Sequence, residues 1–333
     1  MPYFLGADVG GTKTHIAIAD DGGNIVGFGK SGPGNPQGVG YDGLFSTLQD
    51  GVRQALSGAG LTVSQISGAG FGIAGYDWPS ALPRMQAVVT PLGLAGPFQI
   101  VNDTIPGLVA GAKDGWGISI VSGTGCNCRG WDKEHRREGR VTGYGEIMGE
   151  AAGAIELVIR AMHMIGYVWT KRIPPSALSD AFIAYAGAKS LEDLIEGYTE
   201  GRYEIGPAAA PLVKKIANTG DPLAVEIIRW AGHQLGEMAC GVVRQLEFET
   251  LDFDVVMVGS MFKNGEMLID CMRQTIHCVA PGARLVHLKT PPVLGAVMIG
   301  MEQAGLTVTS EIHHRLNESL REVLSNQEQV LGD

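Results

Sequence analysis

"GADVGGTKTHIAIADDGG", residues 6–23, approaches a nucleoside-triphosphate loop and departs from it at one position. A Walker-type loop needs Gly-Lys followed directly by Ser or Thr, and it opens a helix. Here Thr12 separates Gly11 from Lys13. The run from Lys13 to Ala19 alternates as a strand does, and Asp20-Asp21-Gly22-Gly23 turns into a second strand-like run, Asn24 to Phe28. The glycine turn therefore joins two strands. Successive backbone N–H groups in such a turn can converge on a concavity suited to phosphate oxygens. Glycine allows close approach because no Cβ intervenes, and Thr12 adds a hydroxyl donor. Asp8, just before the turn, is placed to hold Mg²⁺ directly or through water.

A second stretch repeats the pattern: "GWGISIVSGTGCNCRGWD", residues 115–132. A strand, Ile118 to Val121, meets the turn Ser122-Gly123-Thr124-Gly125 and continues as Cys126 to Trp131. Either turn alone reads equally well as an ordinary hairpin. Matched turns opening both halves point instead to duplicated α/β domains with paired phosphate-binding hairpins.

Between the two lie a helix over about 43–58, a buried strand over 68–75, a helix from Trp78 to Leu92, the strand Phe98 to Asp103 and a small-residue helix from Ile105 to Lys113. After the second turn the pattern predicts a helix from about Gly149 to Ile165, polar helical segments through 205 and a long helix from Pro222 to Leu246, started by Asp221-Pro222. A third glycine-marked strand, Phe253 to Val258 before Gly259-Ser260, precedes a helix from about Asn264. Pro291 to Met301 reads as a small-residue helix suited to close packing at a domain junction. The tail carries Ile312, Leu316, Leu320, Val323 and Leu324 at helical spacing, an amphipathic face for the body or a partner chain. His313 and His314 are expected to be solvated.

Bulk properties set limits. At 333 residues the chain is comfortable as two domains, and 45% hydrophobic with 18% charged residues suits a large core. A net charge of −10 argues against nucleic acid as partner. No basic region followed by a long apolar core opens the chain, so no signal peptide is expected. No apolar run reaches the ~18 residues of a membrane helix, and no membrane partner is expected. Five cysteines form neither a disulfide framework nor a zinc quartet. Cys126 and Cys128, two in one strand, are read as pointing to opposite faces with no further Cys or His nearby, so no metal is expected there. The protein is expected to be cytoplasmic.

On these motifs the chain resembles the sugar kinase/heat-shock ATPase/actin superfamily, and within it the N-acetylglucosamine kinase branch of the BadF/BadG-type ATPases. The segments that carry the likeness are "DVGGTKT" (8–14), "VSGTGCNCRG" (121–130), "TGYGEIMGEAAGA" (142–154), "GDPLAVEIIRWAGHQLGE" (220–237), "VVMVGSMFKNGEML" (255–268) and "PPVLGAVMIG" (291–300). The resemblance implies an α/β protein of two ribonuclease-H-like, actin-like ATPase domains flanking a nucleotide and sugar cleft. Residues 1–112 with 291–333 would form the first domain and 113–290 the second. It implies ATP and Mg²⁺, a small-molecule sugar substrate, and phosphorylation of an amino sugar or N-acetylated hexosamine, N-acetylglucosamine or glucosamine first. A homodimer is expected.

Residue by residue, Asp103 in "VNDT" matches the catalytic aspartate that accepts the sugar hydroxyl proton. Asn35, Gly143, Tyr144, Gly145 and Glu150 match sugar-binding positions, together with Asp103 itself. Tyr144 and Glu150 stand where the pattern has Trp and Asp, which keeps an aromatic face and a carboxylate but alters reach. Gly10, Gly11, Thr12, Lys13, Thr124, Gly125, Gly220, Gly259, Ser260 and Lys263 fall on the nucleotide side, with Asp8 toward the metal. Sugar binding is expected to draw the domains together, with hinges near 111–117 and 290–295. Two other functions share these motifs: an ATPase driving an electron-transfer partner, which the lack of a CxxC or Cys-Gly-Gly pattern disfavours, and a sugar or nucleotide sensor without turnover.

Overall fold

The computed structural model describes residues 1–141, 145–263 and 265–331, without the side chains of residue 146 and residues 326–331. The chain divides into one unit of residues 1–119 and 286–333 and another of residues 120–285.

The first unit is built on β1 (Tyr3–Val9), β2 (Thr14–Asp20), β3 (Ile25–Ser31), β4 (Ile66–Ile73) and β5 (Phe98–Asn102). Their order in the sheet is β3-β2-β1-β4-β5. β1 is antiparallel to β2, as the short glycine turn requires, and parallel to β4, which is parallel to β5. A parallel neighbour needs a crossover, and α1 (Pro36–Ala59) and α2 (Leu82–Val89) supply the first two, with α3 (Thr104–Gly111) after β5. The expected helix over 78–92 is shorter than the sequence reading. α2 is flanked by 3-10 turns at Pro79–Ala81 and Thr90–Leu92, where Pro79 and Pro91 remove backbone donors.

The second unit contains β6 (Gly117–Ser122), β7 (Cys126–Trp131), β8 (Glu138–Val141), β9 (Phe253–Val258) and β10 (Ala283–His287), ordered β10-β9-β6-β7-β8. Read from the other edge, β8-β7-β6-β9-β10 is the order of the first sheet, the duplication that the paired turns predicted. The sequence reading had no strand for β8 or β10: both are short, and β8 carries Arg140 and Glu138 in place of an apolar alternation. The helices here are α4 (Ala154–Trp169), α5 (Ala177–Ala186), α6 (Leu191–Thr199), α7 (Ala210–Ala217), α8 (Pro222–Leu246) and α9 (Glu266–His277). α8 spans the expected range, and the Asp221 carboxylate accepts from Ala224 N at 3.0 Å as its cap. α4 begins five residues later than about Gly149, so Glu150 precedes the helix and Glu156 is its first-turn acid. The opposite-face reading of the cysteines is also corrected. Residues two apart on a strand share a face, and Cys126 and Cys240 both lie close enough to Cys128 to help raise its thiol, behind burial itself.

α10 (Pro292–Gln303) returns to the first unit and packs against β1, β4 and α3. The approach is close because the facing residues are small. A Cβ on Gly6 would fall inside Val297 N, one on Gly70 inside Ala296 O, and one on Gly295 inside Pro106 O. α11 (Ser310–Leu331) lies on the body against β3, with Leu316 and Leu320 buried. Ser319 Oγ accepts from Ile25 N at 2.9 Å, and Arg315 Nε donates to Asn24 Oδ1 at 2.7 Å. His313 is not solvated, because its Nε2 lies 3.1 Å from the Ala110 carbonyl; His314 is exposed. Among the described residues, no helix is long and apolar enough to cross a membrane.

Gly6→Ala should therefore destabilise the protein by about 3 kcal/mol or more through overpacking against α10. Gly58→Ala, in an exposed helical turn with open space around the new Cβ, should gain up to about 1 kcal/mol by restricting the unfolded chain. Urea unfolding of the two variants checks both; equal stabilities would contradict the packing.

Candidate active site

In the first unit, β1, β4 and β5 are parallel, so their C-terminal ends lie at one edge of the sheet, where α/β sheets place ligands. Three sequence-predicted groups meet at that edge. Asp8 is paired in register with Gly72 on β4. Asp103 follows β5 directly, its Cα 3.5 Å from where a Gly72 Cβ would stand. Gly10 to Lys13 close the hairpin between β1 and β2, with Gly10 N donating to Lys13 O at 3.0 Å. Gly11, Thr12 and Lys13 are exposed, and a Cβ on Gly11 would meet nothing within 4 Å. That is the open face an anion needs.

Electrostatics ties the two carboxylates together. Burial first, and then the Asp103 charge, push the Asp8 carboxyl up to about 7, against the opposing pull of Lys13. Asp103 sits at the N-cap position of α3 without a side-chain cap bond; Asn102 Oδ1 instead accepts from Thr104 N at 3.0 Å. The bland role for Asp103, helix capping, is thus filled by its neighbour.

Asn35 is the N-cap of α1, its Oδ1 accepting from Gln37 N at 2.9 Å. Gly34 N donates to Gly10 O at 3.0 Å, which ties the Asn35 loop to the phosphate turn. Asn35 Oδ1 also lies against Gly75, where a Cβ would collide with it. Gly75, in the turn after β4, has φ +79°, a conformation that favours glycine. Gln37, Asp77 and Asn102 complete this corner and were absent from the sequence reading. Their signal was weak: Asp77 is one carboxylate in a Gly/Tyr turn, and Asn102 reads as the end of a strand.

In the second unit the turn between β6 and β7 exposes Thr124 and Gly125. Its carbonyls cap a helix: Ala154 N donates to Gly123 O at 2.8 Å and Ile155 N to Thr124 O at 3.0 Å. Gly153 is required there because a Cβ would collide with the Gly125 backbone. Ala152 carries φ +94°, and its carbonyl accepts from Ser122 Oγ at 2.7 Å. Backbone strain at a non-glycine residue of this kind clusters at ligand sites. Gly145 N lies 3.4 Å from Glu150 Oε2, and Glu150 is buried. Burial, then Glu156 and Glu150, push the Cys126 thiol up to about 12, which keeps it unreactive beside the turn. Gly143 and Tyr144 lie outside the described residues.

On the side expected to hold the adenosine, Gly259 has φ +115° and packs on the Ser122 carbonyl, where no Cβ fits. Ser260 and Lys263 are exposed. A cavity of about 300 Å³, lined by Lys214, Ala217, Asn218, Ile228 and residues 265–268, lies next to them. Lys214 Nζ donates to the carbonyls of Met261 and Lys263, which fixes the loop. Gly220, with φ +86°, is not among the cavity's lining residues but follows Asn218 closely.

The sequence profile of the BadF/BadG/BcrA/BcrD ATPase family matches residues 5–300. The chain belongs to that family. It is 26% identical over 306 residues to the N-acetylmuramic acid/N-acetylglucosamine kinase of Clostridium acetobutylicum, covering 91% of this chain and 99% of the relative. It is 23% identical over 318 residues to the N-acetyl-D-glucosamine kinase of Dictyostelium discoideum, covering 90% and 97%. A solved structure from Chromobacterium violaceum, assigned as an N-acetylglucosamine kinase, aligns with TM-score 0.61 at 24% identity over 90% of this chain and 99% of that one. The actin-like two-domain α/β fold expected for the family is the fold observed.

Two outcomes follow from the geometry. Gly11→Val and Gly125→Val should leave the fold intact, since neither new side chain meets protein atoms within 4 Å at Cβ, while weakening ATP binding at least about tenfold by filling the space an anion needs. Calorimetry with ATP decides this, and unchanged affinity in both would dismiss the turns as phosphate sites. The raised Asp8 carboxyl sets a pH dependence. The folded protein holds this proton more tightly than the unfolded chain, so the stability linked to it is fully present below about pH 4 and is lost as pH rises through about 7. Asp8→Asn should raise the Tm at pH 8 and leave it nearly unchanged at pH 4; a Tm gain independent of pH would contradict the desolvated carboxyl.

Proposed function

We propose that this protein is an ATP-dependent kinase that phosphorylates a hydroxyl of an amino sugar, N-acetylglucosamine first among candidates. The observation that carries the reading is the pair of carboxylates, Asp8 and Asp103, at the strand edge beside an open Gly/Thr turn, in a chain of a family of ATPases. The kinase names of the two relatives support the sugar class.

In this reading Asp103 is the base. The sugar oxygen forms a bond to the γ-phosphorus, the bond from that phosphorus to the bridging oxygen breaks, ADP leaves with that electron pair, and the hydroxyl proton passes to the Asp103 carboxylate. Phosphoryl transfer asks a protein chiefly for positioning and charge stabilisation, with the proton accepted late. The backbone amides of each turn, with the hydroxyls of Thr12 and Thr124, hold phosphate oxygens. Asn35 and Glu150 hold sugar hydroxyls, and Gly259, Ser260, Lys263 and Gly220 serve the adenosine side. The residues present fit Mg²⁺: Asp8 is a half-buried carboxyl whose ionisation Lys13 offsets only in part, and among the described residues no cluster of three His, Cys, Asp or Glu could hold an ion alone. An ion held by one carboxylate with phosphate and water oxygens matches that donor set. Asp8 would hold it, and bound there it would neutralise charge on the phosphates. A cytoplasmic homodimer belongs to the same proposal.

Sugar-dependent ADP release should be measured over glucose, glucosamine, N-acetylglucosamine and N-acetylmuramic acid. N-acetylglucosamine should give the highest kcat/KM. Asp103→Asn should lower kcat by about 10²–10⁴-fold, the scale of a positioned base, with ATP affinity unchanged. Near-normal turnover in that variant would remove Asp103 from the chemistry, and ATP hydrolysis independent of every sugar would favour an ATPase that drives a protein partner.

A further inference from the structure

The turn after β4 holds a carboxylate that neither phosphate binding nor proton transfer uses. Asp77 Oδ2 accepts from Gln37 Nε2 at 3.1 Å, and Asp77 Oδ1 accepts from Asn102 Nδ2 at 3.3 Å. Each donor leads to a residue of the proposed site. Gln37 is in the first turn of α1, and its own N–H is bound by Asn35 Oδ1. Asn102 immediately precedes Asp103, and its Oδ1 binds Thr104 N on the other side of Asp103. One carboxylate therefore links the start of α1, the turn after β4 and the junction of β5 with α3.

The amide of Asn102 has no choice of orientation. Its oxygen satisfies the first N–H of α3, and its Nδ2 also donates to the Tyr76 carbonyl at 3.2 Å, so its donor end must face residues 76–77. Asn102 is 1% exposed, where turning the amide would leave buried donors and acceptors mismatched. Gln37 is exposed and its amide can turn over. An acidic residue at 77 meets two donors at once, and bonds to an ionised acceptor are the stronger kind.

We propose that Asp77 is a positioning residue that fixes the sugar-binding Asn35 and the base Asp103 relative to one another. This rests on the kinase reading of those two residues. Asp77 touches neither phosphate nor sugar in this assignment; it acts through Gln37 and Asn102. Its effect falls on acceptor placement, to which a transfer reaction is steeply sensitive, a misplacement of about 1 Å costing on the order of a hundredfold.

The choice between geometry and charge separates two substitutions. Asp77→Ala removes both acceptors. Asp77→Asn keeps one oxygen for Asn102 and offers its amide nitrogen to Gln37, which can turn its oxygen toward it. If Asp77 positions, Asn rescues; if it acts by its charge on Asp103, Asn fails as Ala does and both shift the pH profile of kcat. The test uses the full chain, with N-acetylglucosamine binding by calorimetry without nucleotide, and kcat and both KM values from coupled ADP release across pH. Asp77→Ala should weaken sugar binding and lower kcat, each about tenfold, an intermediate loss on the scale of misplaced reactants, with the KM for ATP within about twofold. Asp77→Asn should stay within about threefold of the parent, and neither variant should move the pH profile. Gln37→Ala, which removes one exposed donor, should raise the sugar KM and spare the KM for ATP, so the proposal is tested even if Asp77→Ala does not fold. Unchanged sugar binding and kcat in Asp77→Ala, failure of Asp77→Asn to rescue, or parallel loss of ATP affinity would each overturn it. Turnover by Asp103→Asn would instead overturn the base assignment, while sugar calorimetry on the Asp77 variants would still report on Asn35.

Discussion

The burial of Asp8 beside a second acid, Asp103, is the constraint on which the candidate site of the first unit depends. Burial first, and then the charge of Asp103, disfavour ionisation of Asp8 and push its carboxyl up to about 7. A protein built for stability alone would separate them or pair each with a cation. Here their proximity follows from strand order: β4 lies between β1 and β5, and its Gly72 presents no side chain where the two acids stand. A Cβ at Gly72 would collide with Pro106, in the first turn of α3 beyond Asp103. The absent methyl brings α3 and its leading aspartate onto the sheet. Lys13, in the turn between β1 and β2, pulls the Asp8 carboxyl the other way.

The same economy of side chains holds α10 to these strands and to α3. Glycines at 6, 68, 70 and 300 let the α10 backbone approach sheet backbone, and Gly295 lets it approach the α3 backbone. The edge that carries Asp8 and Asp103 is thus backed by contacts that have little room to slide, and such close-packed layers transmit small displacements instead of absorbing them. A site whose chemistry is positioning benefits from a rigid support.

Much of this was legible in the sequence because it rests on short-range rules. Strand alternation around a glycine turn, Asp-Pro before α8 and the recurrence of the turn at 122–125 fixed the duplicated architecture before any contact was known. What the sequence could not carry is what long-range packing decides. β8 and β10 have no apolar alternation of their own and exist as edge strands because a neighbour supplies the ladder. α4 starts at Ala154 because the carbonyls of Gly123 and Thr124, some thirty residues earlier, accept its first N–H groups. His313 looks solvated beside His314 until α11 docks and turns it toward the Ala110 carbonyl. In the site, Asp103 carried a motif, whereas Asp77 and Asn102 acquire meaning only when the turn after β4 meets the end of β5.

The duplication does not extend to the acids. Aligned on Thr12 and Thr124, the two turns match residue by residue: Gly11 with Gly123, Gly10 with Ser122, Val9 with Val121 and Asp8 with Ile120. Ile120 is fully buried in the second sheet. At the end of the fifth strand the first sheet has Asn102-Asp103-Thr104, while the second sheet has His287-Leu288-Lys289. The backbone turn, which needs only glycine, threonine and the right geometry, survives in both copies. The carboxylates stand in one, where burial and then the Asp103 charge raise the cost of ionising Asp8. In the second copy the turn is stiffened differently, by a helix start and the strained Ala152, and its acidic residues, Glu150 and Glu156, come from the segment before α4 and from its first turn. The hairpin is a matter of backbone geometry that both sheets share; the acid pair is a matter of side chains at Asp8 and Asp103, where the second sheet has Ile120 and Leu288.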